Sequence, residues 1–306
     1  MVLAAFVVAA SLFIDRVIGD PRSPFHPVAL LGRFIGWWGV PSRYPAALQR
    51  GVGLLAGLGT ALLFAAPFLA VQVYAPALVY LIAAPFLLKV CFAWRALEEH
   101  TRAVVVAAAA SDLEQGRRAA GMMVSRDTAS LDREHVLSAA YESMTENLVD
   151  SIVSPLVYFG IFGLAGAAFF RAANTMDAML GYRDEREQLG WFPARLDDLL
   201  NYIPARICGA ILLVYFAFHG RFWQSYTILR RDARRRAGIN GGIPMAAIAG
   251  GVGIRLEKPG AYVIGDAERS LDEAGEEIIR AVRAATCIFA VLLIAALFLL
   301  GTASNI

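Results

Sequence analysis

Runs of apolar residues separated by short, strongly polar stretches organise this chain. The long runs lie at 2–19, 52–73, 76–94 and 286–303, with weaker ones at 152–173 and 203–219. A helical crossing of a bilayer takes about 20 apolar residues, so each run has roughly the length of a span. No Pro-, Gly- or Ser-rich linker divides them, and the pattern predicts a single membrane-embedded domain over 1–306. The predicted fold class is all-α: a polytopic integral membrane protein with about four to six membrane helices, some broken or re-entrant, and amphipathic cytoplasmic helices. The first run has the look of a signal peptide. No Lys or Arg precedes it and Asp15 and Arg16 follow directly, so it is read as a retained helix.

Charge then constrains topology. The connection 95–151 carries Arg95, Arg102, Arg117, Arg118, Arg126 and Arg133, and the region after 220 carries Arg221, Arg230, Arg231, Arg234, Arg235 and Arg236. Positive residues favour the cytoplasmic side, which places both regions there. Plain crossings at 152–173 and 203–219 would put 174–202 outside and split the acidic residues described below across the membrane. Pro155, Gly160, Gly163 and Gly166 interrupt the first of these segments, and Pro204 and Arg206 lie near the start of the short second one. Broken helices are tolerated where protein buries them or where they line a polar cavity. At least one of the two segments is therefore expected to be re-entrant; six plain crossings are the alternative.

Composition agrees with a membrane class: 58% of residues are apolar and 18% charged, with mean hydropathy +0.55, where soluble domains carry about 25% charged residues. Cys91, Cys208 and Cys287 all lie in apolar segments, which argues against a disulfide framework or a thiolate metal site. The arginines of 220–236 read as a topology signal or a contact with anionic membrane lipid, and nucleic acid is not expected as a partner. Residues 266–283 read as an amphipathic element leading into the last span.

Against this background the ionisable residues from Glu142 to Arg206 stand out, because charge beside a bilayer is costly and usually serves transport or chemistry. Helix geometry over 133–150 sets Leu137, Ala140, Tyr141, Met144 and Leu148 on one stripe, with His135, Glu142, Glu146 and Asp150 opposite. Carboxylates spaced in this way repel one another unless a cation lies between them. They are candidate Mg²⁺ ligands, or simply the solvated face of a surface helix. A second group, Asn174 and Asp177 followed by Arg183 and Arg186, comes directly after an apolar run. Asp177 suits a metal ligand or base and the arginines suit phosphate or carboxylate oxygens, although a charged loop capping a membrane helix would look similar. A third group runs from Arg195 to Arg206, where Asp197, Asp198 and Asn201 make a compact oxygen-rich patch. Near the N-terminus, Asp20, His26 and Arg33 lie in a turn-rich stretch with Gly19, Pro21 and Pro27 and are candidates for a shared site.

Asp15 to Arg33, Arg126-Asp127-Thr128, Glu142-Ser143-x-x-Glu146-Asn147-x-x-Asp150, Asn174-Thr175-x-Asp177-x-x-x-Gly181-Tyr182 and Ala194-Arg195-Leu196-Asp197-Asp198-x-x-Asn201-Tyr202-Ile203-Pro204-Ala205-Arg206 together resemble the adenosylcobinamide-phosphate synthases of cobalamin biosynthesis. The resemblance runs from 15 to 265, and its last two motifs are the most specific. It implies a multi-pass enzyme of the cell membrane with its active site facing the cytoplasm. The implied reaction joins (R)-1-amino-2-propanol, or its O-phosphate, to the free propionate carboxylate of adenosylcobyric acid, a corrinoid, through an amide. A carboxylate is a poor acyl donor, so ATP and Mg²⁺ are implied for its activation, most simply as an acyl phosphate. On that scheme Glu142, Glu146, Asp150, Asp177, Asp197 and Asp198 are catalytic, and Glu142, Glu146, Asp197 and Asp198 are the candidate Mg²⁺ ligands. Asp20, His26, Arg33, Arg126, Asn147, Asn174, Arg183, Arg186, Arg195, Asn201 and Arg206 would bind substrate. Other late cobalamin-assembly enzymes and a second copy of the chain are further expected partners.

Two departures limit what the resemblance carries. The chain has no Gly-x-x-x-x-Gly-Lys-Ser/Thr phosphate loop, and Gly250-Gly251-Val252-Gly253 is too short a signal to replace one. Asn240-Gly241-Gly242-Ile243-Pro244-Met245 differs from the family's Asn-x-Gly-Trp-Pro-Glu segment at Ile243 and Met245, so no catalytic role is carried onto it. The rival class is a transporter or carrier of a corrinoid or other anion, because broken membrane helices with central charges also build transport sites. No inverted repeat is visible between the halves. A non-catalytic protein on the same scaffold is the third reading.

Overall fold

The structure, a computed structural model, describes residues 2–20 and 23–303; Pro21 of the N-terminal turn lies outside the described residues. In chain order the helices are α1 (Val2–Val17), α2 (Pro27–Trp38), α3 (Gln49–Tyr74), α4 (Ala77–Val90), α5 (Trp94–Ala109), α6 (Leu113–Gly121), α7 (Arg133–Leu148), α8 (Ser154–Leu180), α9 (Glu187–Leu200), α10 (Tyr202–Phe218), α11 (Phe222–Asp232), α12 (Gly242–Val252) and α13 (Leu271–Ala303). A small antiparallel hairpin, β1 (Leu256–Lys258) and β2 (Tyr262–Ile264), pairs Leu256 with Ile264. The chain forms two compact units. Of the described residues, the first holds those within 2–93, 154–201 and 290–303, and the second 94–153 and 202–289.

Four helical stretches are long and apolar enough to cross a membrane: Ala46–Tyr74, Ala77–Ala109, Arg133–Leu180 and Leu271–Thr302. Glu187–Leu200 and Tyr202–Phe218 meet that test only as a pair, bent by 42° at the break between them. The all-α membrane class, with broken segments, is what the apolar pattern predicts, but boundaries differ. At 16 residues α1 is shorter than the four. Plain crossings would make 174–202 a connecting loop, yet α8 continues to Leu180 and α9 begins at Glu187, leaving a turn at 181–186. The amphipathic stretch at 266–283 and the last span are largely one helix, α13, which starts at Leu271.

In the first unit α3 packs against α8 and α9. Gly53 and Gly57 make this possible: a Cβ at Gly53 would stand 2.0 Å from the Leu189 carbonyl oxygen, and one at Gly57 would stand 3.1 Å from the Phe192 ring. Small residues one turn apart let membrane helices approach closely where no hydrophobic force draws them together. Leu31, Ile35, Trp38, Met176, Leu180 and Leu189 fill the core beside this contact. α8 itself is broken at Gly163, whose φ of 69° and ψ of −153° lie outside the helical region. Gln72 of α3 repairs the break. Its Nε2 donates to the Phe162 carbonyl (3.3 Å), and Ala165 N donates to its Oε1 (3.3 Å), so the freed backbone groups are satisfied by protein.

In the second unit α5, α6 and α7 enclose a cluster of Val104, Ala120, Leu131, Val136, Ala139 and Ala140. Asp112 and Asp132 start α6 and α7 by accepting the amides of Gln115 and His135 (2.9 Å each). From Val136 to Thr145 every residue of α7 is buried, Glu142 included. Of the two readings of 133–150, a solvated surface face does not hold at Glu142, which packs against protein, while Glu146 and Asp150 are half-buried. The hairpin packs on α7, with Glu257 N donating to Ser138 Oγ (2.7 Å). A π-helical turn at Val149–Val153 follows α7. It holds Asp150 out of the regular α-helical register that the i, i+4, i+8 spacing assumed.

Candidate functional site

Two of the candidate acids, one in each unit, are buried carboxylates surrounded by polar side chains. In the first unit that carboxylate is Asp197, 8% exposed, on α9. Asn174 of α8 donates to its Oδ1 (3.2 Å) and Asn201, one turn on, donates to its Oδ2 (2.9 Å). Ser154 fixes Asn201 through Oγ donating to Oδ1 (2.6 Å), and Tyr158 donates to the Leu200 carbonyl (2.9 Å). Asp177 and Asp198 both repel Asp197 electrostatically. Residues from the two most specific motifs thus meet because α8 and α9 pack side by side and each supplies one amide to the same acid.

In the second unit the central acid is Glu142, 4% exposed. Arg126 Nη2 and Ser138 Oγ donate to its Oε1 (3.1 and 2.7 Å), and Tyr262 of β2 donates to its Oε2 (2.7 Å). Burial, followed by the charge of Glu142 and its hydrogen bond, pushes the Tyr262 phenol well above its ordinary range, which keeps it a donor. Glu146 pairs with Arg236. Burial works against the Arg236 charge, but Glu146, Tyr262 and Asp150 outweigh it and hold the guanidinium firmly protonated. Asn147 donates to the Ser143 carbonyl (2.9 Å) and accepts from Ser151 (2.8 Å), tying α7 to the π turn. Arg206 lies over the Tyr202 ring at 3.6 Å and donates to Asn240 Oδ1 (2.7 Å) and the Ile239 carbonyl (3.2 Å).

The N-terminal group forms a third cluster, inside the first unit. Lys89 of α4, itself buried, pairs with Asp20 at 2.5 Å and Asp15 at 3.2 Å, and His26 Nε2 lies 3.7 Å from Asp20. His26 Nδ1 accepts from Val28 N and caps α2, so the proton of the neutral ring sits on Nε2. Burial lowers the His26 pKa; Asp20 opposes the shift while Lys89 and Arg171 add to it.

The profile of the CobD/Cbib protein family matches residues 8–293. The chain belongs to that family. It is 41% identical to the "Probable cobalamin biosynthesis protein CobD" of Methanothermobacter thermautotrophicus over 90% of this chain and 91% of that one. It is 44% identical to the protein of the same name in Thermococcus kodakarensis over 81% of each chain. Identity to the "Cobalamin biosynthesis protein CobD" of Dehalococcoides mccartyi is 36%, over 88% of this chain and 89% of that one. No solved structure matches.

For this CobD/Cbib chain the charge environment separates the candidate metal ligands. Among the described residues no group of three or more His, Cys, Asp or Glu is placed to hold a metal ion. Glu142 and Glu146 already face guanidinium groups, which stand where a cation would. Asp197 and Asp198, with Asp177, crowd negative charge instead. That donor set suits Mg²⁺ in its usual form, one or two carboxylates completed by substrate phosphate oxygens. An apolar cavity of about 410 Å³ borders this cluster through Tyr158 and Leu200.

Other expected site residues sit apart from these clusters. Arg33, Arg183 and Arg195 are exposed. Arg186 is committed to the 181–186 turn: it pairs with Asp184, lies 4.0 Å over the Tyr182 ring and donates to the Met179 carbonyl (3.1 Å). Asp184 is held well below the usual carboxylate range, at about 2, chiefly by the Arg186 side-chain hydrogen bond. Sequence reasoning missed Lys89, Ser138, Ser154, Arg236 and Tyr262, and it set aside the segment containing Asn240. Arg236 is indistinguishable within a run of arginines. A turn signal at Pro259-Gly260 did mark the hairpin that delivers Tyr262.

Proposed function

We propose that this CobD/Cbib chain forms the amide bond between the free propionate carboxylate of adenosylcobyric acid and (R)-1-amino-2-propanol O-phosphate, giving adenosylcobinamide phosphate at the cytoplasmic face of the cell membrane. The observation that carries this reading is Asp197, a buried carboxylate oriented by Asn174 and Asn201 in an apolar unit. Amide formation needs a base that takes the proton from the aminopropanol ammonium so that the neutral amine can attack the activated acyl carbon, and a carboxylate kept out of bulk water is suited to that task. Asn174 and Asn201 hold it in place. Asp177 and Asp198 are the residues that would hold Mg²⁺, leaving Asp197 to the proton. With ATP, the ion would supply activation of the acyl carboxylate and shielding of phosphate charge. In the second unit Glu142 and Glu146 orient Arg126 and Arg236, whose guanidinium groups suit the anionic parts of the substrates.

The test is turnover by the detergent-purified protein with adenosylcobyric acid, aminopropanol phosphate, ATP and Mg²⁺, followed by corrinoid mass. The expected outcome is an amide product that falls by about 100-fold or more in Asp197→Asn, the size of a lost general acid or base, and also declines in Glu146→Gln. Corrinoid binding without product would favour the carrier reading instead, which the break at Gly163 also accommodates.

A further inference from the structure

Arg126 carries an incomplete set of hydrogen bonds. Its Nη2 donates to Glu142 Oε1 at 3.1 Å, while Nε and Nη1 are buried without a hydrogen-bond partner among the described residues. The side chain is 12% exposed, so bulk water reaches little of it. A guanidinium cannot shed its proton to escape this situation, and burying charged N–H groups unpaired is expensive. Nor is the side chain loosely placed. Its segment, between α6 and α7, is anchored by Thr128 Oγ1 donating to the Arg117 carbonyl (2.9 Å) and Arg117 Nε donating to the Leu131 carbonyl (2.8 Å). Ser138 and Tyr262 in turn fix Glu142, the acid that holds Arg126. A permanent cation, pinned by one nitrogen and left with donors on the other two, is organised to receive oxygen atoms from outside the protein.

We propose that Arg126 is the receptor for a substrate oxyanion, with Glu142, Ser138 and Tyr262 as the residues that position it. The uncommitted donors suit the oxygens of a carboxylate or a phosphate, and a phosphate brings the larger negative charge to meet the guanidinium. On the reaction proposed above, which this inference deepens, that phosphate belongs to the amino alcohol. Arg126 would then select aminopropanol phosphate over free aminopropanol. The propionate carboxylate of the corrinoid is the other source of the same chemistry.

The experiment is direct binding, by phosphorus NMR line broadening for phosphate-bearing probes and by calorimetry for all four: inorganic phosphate, aminopropanol phosphate, aminopropanol and propionate. Wild-type protein in detergent is compared with Arg126→Gln and Arg126→Lys. The expected result is that both phosphate probes bind, that aminopropanol does not, and that Arg126→Gln weakens phosphate binding by about tenfold or more. Arg126→Lys keeps the charge facing Glu142 and therefore the fold, and is expected to lose most of the same binding because it lacks the planar fork. Arg126-dependent binding of propionate with no binding of phosphate would support the receptor and assign its anion to the acyl partner. Unchanged binding of every probe in both variants would overturn the proposal. Arg126-dependent phosphate binding in a protein that makes no amide would sink the reaction and leave this inference standing.

Discussion

Asp232 shows how much a single side chain organises in the second unit. It lies in the run Arg230-Arg231-Asp232-Ala233-Arg234-Arg235-Arg236, which read as a topology signal, yet its carboxylate is fully buried. Arg231 donates to it twice at 2.8 Å, Arg235 approaches to 2.9 Å and Gly265 N donates at 2.8 Å, joining α11 to the segment after β2. Burial alone would raise its pKa, but these donors outweigh burial and leave it below its ordinary 3.8. A depressed carboxylate contributes stability that is present above the unfolded value and lost as pH falls through the folded one. Asp232→Ala is therefore expected to lower stability at neutral pH by about 2–3 kcal/mol, the two arginines being partly exposed and screened. The deficit relative to wild type should shrink below about pH 4. Thermal unfolding in detergent across that range checks both parts, and an equal loss at all pH values would refute the assigned cause. None of this was legible in the sequence, where one acid among five arginines gives no sign of which partners lie beyond the run. Glu142 and Asp197 were legible as candidates because acids crowded beside apolar runs are costly, but their neighbours Tyr262 and Ser154 come from elsewhere in the fold.

At the scale of elements, the interruption of α8 was visible as a cluster of Gly and Pro, but its position and its repair were not. Of Pro155, Gly160, Gly163 and Gly166, Gly163 is the residue with positive φ, and the cap comes from Gln72, 91 positions away in α3. The polar residues Asn174 and Asp177 looked like the end of a span. They continue α8 instead, because Thr175 can bond back to the Arg171 carbonyl (2.7 Å) and Asn174 has Asp197 as partner. Gly163→Ala would place a Cβ 2.4 Å from Gln72 Oε1 in a backbone region disfavoured for any other residue. The expected cost is about 1–3 kcal/mol from backbone strain, with the clash added. Gln72→Ala alone leaves the Phe162 carbonyl and Ala165 amide unpaired and should destabilise by about 1–3 kcal/mol. Combining the two removes the clash, so the double variant is expected to be more stable than the sum of the single losses allows. Strict additivity in detergent melting would show that Gln72 does not occupy the break.

At the scale of the whole chain, the arginine-bearing segments 110–132 and 219–270 constrain what lies between them. If both face the cytoplasm, the number of crossings between them is even. The two stretches available are Arg133–Leu180, broken at Gly163, and the bent pair Glu187–Leu200 with Tyr202–Phe218. Either both cross or neither does, and the choice decides on which side the turn 181–186 lies. Burial favours the second solution. The apolar window of Arg133–Leu180 is 56% buried within the protein, against 28%, 33% and 33% for the other three spans, so protein covers more of this helix than of the others, while Ile161 and Phe162 beside the break stay exposed. Enclosure is what allows a re-entrant segment to keep its irregular backbone at membrane depth. Single cysteines at Ser125, Glu185 and Arg234, in a chain with Cys91, Cys208 and Cys287 replaced by Ala, place each segment when right-side-out vesicles are treated with a membrane-impermeant maleimide. The expected outcome is protection at all three positions until the vesicles are opened. Labelling from outside at 185 alone would establish two full crossings and put the turn beside Asp177 on the outer face; a cytoplasmic reaction would then need its acid chemistry from Glu142 and Glu146 instead.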